Sequence, residues 1–68
     1  MTIEEFRNFG WKAGMRVKGE DGDEYEIIGV DLRNRRVECD GIVYPFTTTV
    51  EDCDSILNPD GTVAWRKE

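Results

Sequence analysis

Two cysteines are the residues of this chain best suited to nucleophilic chemistry. Cys39 and Cys53 stand in a sequence of 68 residues that contains no histidine. A reactive thiol needs a base or a positive charge to lower its pKa, whereas Cys53 lies between Asp52 and Asp54. The spacing of the two cysteines matches no zinc-binding pattern. We therefore expect two free thiols that are not catalytic, with Cys39 buried. We expect no catalytic residue, no metal and no cofactor.

Carboxylates gather in two short segments, residues 20–24 and residues 51–54. Clustered carboxylates could bind Ca²⁺ or take part in acid–base chemistry, but the first segment lacks the ligand spacing of an EF-hand loop. Both segments are typical of solvated acidic turns. The 15 acidic and 9 basic residues give a net charge of −6, which opposes attraction to nucleic-acid phosphates and to anionic lipid.

Three arginines, Arg33, Arg35 and Arg36, gather at one predicted hairpin turn. Arginines on a turn could contact phosphate groups, or they could pair with the many acidic side chains. Binding of RNA or DNA through these three residues is therefore an alternative function. A further alternative follows from the charge of −6, since an acidic chain could mimic nucleic acid and occupy a DNA-binding protein.

The size of the chain limits what it can bind. A domain of this length buries only roughly 60% of the surface that its unfolded chain exposes, and a ligand pocket of about 300 Å³ would take up much of its interior. This favours a protein that is not an enzyme. The N-terminus has no basic and apolar signal-peptide pattern and no apolar stretch is long enough to span a bilayer, so we expect a cytoplasmic protein without membrane contact.

The first residues predict a short helix. Thr2 can cap it, and Glu5 lies three residues later, as a capping box requires. Ile3 and Phe6 share a face at helical spacing, and Gly10 ends the helix. We expect the helix over residues 3–9, within an N-terminal segment (residues 1–13) that packs on a β domain (residues 14–68).

Tight turns and alternating residues predict five strands in the rest of the chain. These are residues 15–18, 24–31, 35–39, 42–48 and 62–66, and the segment 50–57 between the last two is expected to be irregular, with one turn of helix. Asp40 and Gly41 form the strongest turn signal, a two-residue hairpin loop of type I′. A second turn is expected at Arg33 and Asn34, because asparagine tolerates the left-handed conformation.

These two turns predict which residues face the core. They pair Cys39 with Ile42, Val37 with Tyr44, Val30 with Val37, and Ile28 with Cys39. The predicted core face therefore carries Ile28, Val30, Val37, Cys39, Ile42, Tyr44 and Phe46. The opposite face carries Tyr25, Ile27, Val43 and Pro45, which are more apolar than a solvated face requires. The N-terminal helix, the other half of a curled barrel or a partner could cover these four residues, which are the candidate partner-binding site. We expect the chain to be a monomer or a weak homodimer.

The order of glycines and β-branched residues resembles that of KOW-type and Tudor-like SH3-like barrels. The resemblance runs over residues 14–48, through the segments 14–18 and 25–31 and the positions Gly22, Val37 and Gly41. It implies a mainly β fold, a small five-stranded SH3-like barrel with a short N-terminal helix. Members of these families bind RNA, ribosomal or transcription proteins, or short peptides, and a looser likeness links the chain to small barrels of bacteria and their mobile elements. The leading expectation is a non-enzymatic module for protein–protein interaction.

Overall fold

The computed structural model describes residues 1–67, and it is mainly β, as the sequence predicts. One helix, α1 (Ile3–Arg7), precedes six strands: β1 (Arg16–Gly19), β2 (Glu24–Asp31), β3 (Arg36–Cys39), β4 (Phe46–Thr49), β5 (Cys53–Leu57) and β6 (Val63–Arg66). The strands form one antiparallel sheet in the order β4-β3-β2-β1-β5-β6. In residues 1–67 no helix is long and apolar enough to cross a membrane.

Helix α1 begins at the predicted capping box. The Glu5 backbone N–H donates to the Thr2 hydroxyl at 3.1 Å, and the Thr2 N–H donates to the Glu5 carboxylate at 3.2 Å. Hydrogen bonding of the Glu5 carboxylate to the Thr2 backbone N–H, and then to the Thr2 hydroxyl, lowers the pKa of Glu5. The helix ends at Arg7, earlier than predicted, with Asn8 as its C-cap. A helix this short is unstable alone, and Phe6 anchors it because its side chain is fully buried in the core.

Strand β2 contains a bulge that changes the predicted register. Ile27 pairs with Cys39 and Gly29 with Glu38, which leaves Ile28 as the extra residue. The predicted pairing of Ile28 with Cys39 is therefore wrong, although the pair of Val30 and Val37 is confirmed. Because a bulge adds one residue to a strand, the side chains before Ile28 face the opposite way from the prediction, while those after it keep the predicted register. As a result Ile27, expected on the outer face, is buried at 8% exposure, whereas Ile28 is 47% exposed.

The connection between β3 and β4 is longer than predicted. Cys39 pairs with Phe46 and Val37 with Thr48, so residues 40–45 form a loop and β4 starts at Phe46 instead of residue 42. A type I′ turn needs positive φ at both central residues, and the positive φ values within residues 1–67 include neither Asp40 nor Gly41. The predicted hairpin loop is wrong for this reason.

The turn between β2 and β3 also differs from the prediction in its conformation. The residue with positive φ is Arg35, at 54°, and not Asn34. The Asp31 carboxylate accepts hydrogen bonds from the backbone N–H groups of Arg33 and Asn34 and from the Asn34 side chain. These bonds to Asn34 and Arg33 lower the pKa of Asp31. Asn34 therefore stabilises the turn through its side chain.

Strand β5 was not predicted. A 3₁₀ helix at Val50–Asp52 supplies the expected turn of helix, and the chain then continues as a central strand that pairs with both β1 and β6. Its last three residues, Ser55, Ile56 and Leu57, are all buried. The core shared by these elements consists of Phe6, Met15, Val17, Ile27, Val37, Cys39, Val50, Cys53 and Ile56.

Candidate protein-binding surface

The loop between β3 and β4 exposes a continuous run of apolar side chains. Ile42 is 94% exposed, Val43 86% and Tyr44 71%, and Pro45 is also exposed. We refer to residues 42–45 as the apolar loop. Single exposed apolar residues are normal on protein surfaces, but contiguous exposed apolar patches mark interaction sites. The apolar loop is therefore the candidate functional site.

Gly41 explains why the loop turns outward where it does. A Cβ atom on Gly41 would collide with the Tyr44 carbonyl oxygen and would lie 3.0 Å from the Phe46 ring. Only glycine fits this close approach of the backbone to itself. The chain therefore folds back immediately after β3, and the side chains of the next residues are directed away from the sheet.

An aromatic pair lies beneath the apolar loop. The rings of Tyr25 and Phe46 meet edge to face, with centroids 5.1 Å apart and planes at 89°, which is a favourable geometry for aromatic contacts. Together with the loop they line an open cleft of about 300 Å³, whose residues are Tyr25, Gly41, Ile42, Val43, Tyr44 and Phe46. Partial burial, followed by the charges of Asp23 and Asp21, raises the pKa of Tyr25.

A second cleft, which Ile42 also lines, has four acidic residues in its lining. This cleft of about 410 Å³ is lined by Asp23, Glu24, Tyr25, Glu26, Asp40, Gly41 and Ile42, and we call it the acidic cleft. The first residues of β2 reach it because they extend beyond the end of β3. The Asp40 backbone N–H donates to the Glu26 carbonyl oxygen at 2.9 Å, which fixes the loop against β2.

The structure brings together three of the four candidate partner-binding residues. Tyr25 lines both clefts, and Val43 and Pro45 belong to the apolar loop. Ile27 is instead part of the core and is not available at the surface. The three residues therefore meet where the apolar loop passes the start of β2, and not on the outer face of a flat sheet as predicted.

The sequence pattern predicted Ile42 and Tyr44 in the core, but both side chains are exposed on the apolar loop. Pro45 was the signal that could have corrected this prediction, because proline is rare inside a paired strand. A strand over residues 42–48 would have placed Pro45 in its middle. An apolar segment that precedes such a proline can equally form an exposed loop.

The three arginines lie at the opposite end of β3 from the apolar loop. Arg33, Arg35 and Arg36 are all exposed. The Arg36 guanidinium donates a long hydrogen bond of 3.5 Å to the Thr47 hydroxyl, and none of the three forms an ion pair with another residue of the segment 1–67. The β2–β3–β4 unit therefore has a basic end and an acidic, apolar end.

Both cysteine thiols are buried and shielded. Cys39 has no exposed surface and Cys53 is 3% exposed, and both are free. Burial raises the pKa of Cys39 to about 11, with smaller contributions from Cys53 and Glu38. Burial also raises the pKa of Cys53, and its thiol donates a hydrogen bond of 3.4 Å to the Thr49 carbonyl oxygen. In the described part of the chain, no group of three or more His, Cys, Asp or Glu side chains is placed to bind a metal ion.

Comparison of the chain with protein-family models, with curated proteins and with solved structures gave no match. The functional argument therefore depends on the geometry of the surface itself.

Proposed function

We propose that this chain is a non-enzymatic interaction module that binds a protein through the apolar loop and Tyr25. The observation that carries the proposal is the exposure of Ile42, Val43 and Tyr44, three consecutive large apolar side chains that are 71–94% exposed. Burying one such side chain completely contributes about 1.5–3 kcal/mol. A partner that covers the loop would remove this surface from water.

The surroundings of the loop support a binding role. Loops held by a rigid scaffold often carry function, and this loop is held by the Gly41 turn and by the hydrogen bond between Asp40 and Glu26. Tyrosine is common at binding hot spots because it offers a large contact area with few rotatable bonds. Tyr25 is fixed against Phe46 and Tyr44 lies beside it on the loop, so the partner meets two tyrosine side chains.

The proposal extends to the fold, which we assign to the small SH3-like barrels of KOW or Tudor type. Its support is the bulged strand β2, which pairs with β1 through residues 24–26 and with β3 through residues 27–31. A bulge bends a strand and lets one strand serve two parts of a curled sheet. Strands β1 to β5 would form the five-stranded barrel, and β6 would be an additional edge strand.

Affinity capture with matched variants tests the proposed function. The tagged chain, an Ile42→Asn/Val43→Asn variant and a Leu32→Asn control are each incubated with lysate of the cells that produce the protein. Leu32 is also an exposed apolar side chain, at 47%, but it lies in the β2–β3 turn. We expect one protein to be retained by the parent chain and the control and to be lost with the loop variant. Equal retention by all three would overturn the proposal.

Nucleic-acid binding is the second candidate, and the exposure of all three arginines favours it. It predicts that the retained material disappears when the lysate is treated with nuclease, and that an Arg33→Gln/Arg36→Gln variant loses it. Affinity would then fall steeply with salt concentration. Retention of the same protein with and without nuclease would show that no nucleic acid mediates its binding, and loss with the Ile42→Asn/Val43→Asn variant would then assign that binding to the apolar loop.

A further inference from the structure

We propose that the partner of the apolar loop is a basic protein segment, whose lysine or arginine side chains enter the acidic cleft beside Ile42. The inference rests on the proposed function and specifies the chemistry of the partner. Ile42 and Tyr25 line both the acidic cleft and the open cleft of about 300 Å³ beside the apolar loop. A segment that covers the loop therefore contacts both clefts. A partner segment in which apolar and cationic side chains alternate would fit this surface.

Among the described residues, few ion pairs form with the carboxylates of the acidic cleft, although Arg16 lies opposite Glu26 and Lys18 opposite Glu24 in the sheet. Of its four carboxylates, only Glu24 forms an ion pair with another described residue, since its carboxylate lies 3.0 Å from the Arg16 guanidinium. No ion pair within residues 1–67 involves Asp23, Glu26 or Asp40. Three carboxylates around one cleft attract a cation and repel an anionic partner.

The cleft suits the side chains of lysine and arginine in shape as well as in charge. Their aliphatic stems pack on apolar surface while the charged ends remain near polar groups. Ile42, 94% exposed, offers such a surface at the rim. The stem of a partner lysine would cover Ile42 and its ammonium group would reach the carboxylates of Asp40 and Glu26.

The separation of charge along β3 sets the direction in which such a partner binds. Arg36 is the first residue of β3 and the other two arginines precede it, whereas the acidic cleft lies beyond the last residue of β3. Four residues of strand extend roughly 10 Å between the two ends. A basic segment is attracted to the apolar loop and repelled from the Arg33 turn, and the net charge of −6 increases its rate of encounter.

Synthetic peptides of alternating leucine and lysine, and of alternating leucine and glutamine, are the probes for this inference. Their binding is measured by fluorescence anisotropy with the parent chain, with Glu26→Gln/Asp40→Asn, and with the control Glu4→Gln/Asp54→Asn. The two double variants have the same net charge, and neither Glu4 nor Asp54 lines the acidic cleft. The control therefore separates the cleft from the overall field of the protein.

We expect the parent chain to bind the lysine peptide more tightly than the glutamine peptide, with a difference that decreases as salt is added. Glu26→Gln/Asp40→Asn should weaken binding of the lysine peptide by about three- to tenfold, as expected for two exposed ion pairs. The control variant should change it less. An equal loss with both double variants would overturn the inference, because the charge would then act only through the overall field.

The same assay distinguishes the proposed binding through the apolar loop from the proposed basic nature of the partner. Ile42→Asn/Val43→Asn should weaken the binding of both peptides, because both place leucine side chains on the apolar loop. If this variant weakens both peptides while the charge variants have no effect, the proposed function stands and the basic partner is wrong. If this variant has no effect on either peptide, the apolar loop is not a binding surface and both proposals fail.

Discussion

The thiol of Cys39 illustrates how burial decides the chemistry of a single residue. Its sequence position, in a predicted strand without a nearby base, indicated an unreactive side chain. The structure gives the physical reason, since the residue has no exposed surface and its pKa is raised to about 11. At pH 8 such a thiol is ionised in only about one molecule in a thousand, whereas a thiol with the usual pKa of about 8.5 is ionised in roughly a quarter.

We therefore predict that Cys39 resists thiol reagents in the folded chain. In a Cys53→Ala variant, labelling of Cys39 by iodoacetamide at pH 8 should be at least about a hundredfold slower than in the same chain unfolded in urea. Mass spectrometry of the intact protein measures both rates. The reciprocal variant, Cys39→Ala, reports on Cys53 and serves as a comparison. Similar labelling rates in folded and unfolded chains would contradict the burial of this residue.

At the scale of the element, the β3–β4 loop depends on one glycine. We predict that Gly41→Ala destabilises the chain by about 1–3 kcal/mol, because the new methyl group must displace the Tyr44 carbonyl or the Phe46 ring. Gly29→Ala is the matched control, since its Cβ would lie 3.1 Å from the movable carboxylate of Glu38. Urea unfolding measures both variants. Equal effects would mean that the close approach at Gly41 does not constrain the loop.

The elements also explain which predictions from the sequence succeeded. The capping box of Thr2 and Glu5 and the full extent of β2 followed from local patterns of the sequence. The bulge at Ile28 did not follow, because it depends on how β2 is shared between β1 and β3. Strand β5 was missed since the half-buried Asp54 and the buried Ser55 interrupt the alternation that marks a strand. One unrecognised bulge and one misread loop were enough to exchange Ile27 and Ile42 between core and surface.

For the molecule as a whole, three hydrogen-bonded carboxylates link stability to pH. Glu5 caps helix α1, Asp31 holds the β2–β3 turn, and Asp60 accepts hydrogen bonds from the backbone and hydroxyl of Thr62 in the β5–β6 turn. Their hydrogen bonds lower the pKa of all three side chains. Near pH 4 the unfolded chain therefore binds more protons than the folded chain, so the stability of the fold decreases as the pH falls.

We predict that the free energy of unfolding is nearly constant at neutral pH and decreases below about pH 4.5, where these carboxyl groups begin to be protonated. The triple variant Glu5→Gln/Asp31→Asn/Asp60→Asn should show a smaller decrease, because amides keep an acceptor oxygen but do not titrate. The three sites lie in separate elements, so their contributions should add. A control, Glu4→Gln/Glu26→Gln/Asp54→Asn, has the same net charge but changes side chains that accept no hydrogen bond from residues 1–67, and it should retain the acid sensitivity of the parent chain. Urea titrations between pH 3 and pH 7 measure the effect. If the first variant is as acid-sensitive as the control, the caps and turns do not govern acid unfolding, and the general charge of the molecule does.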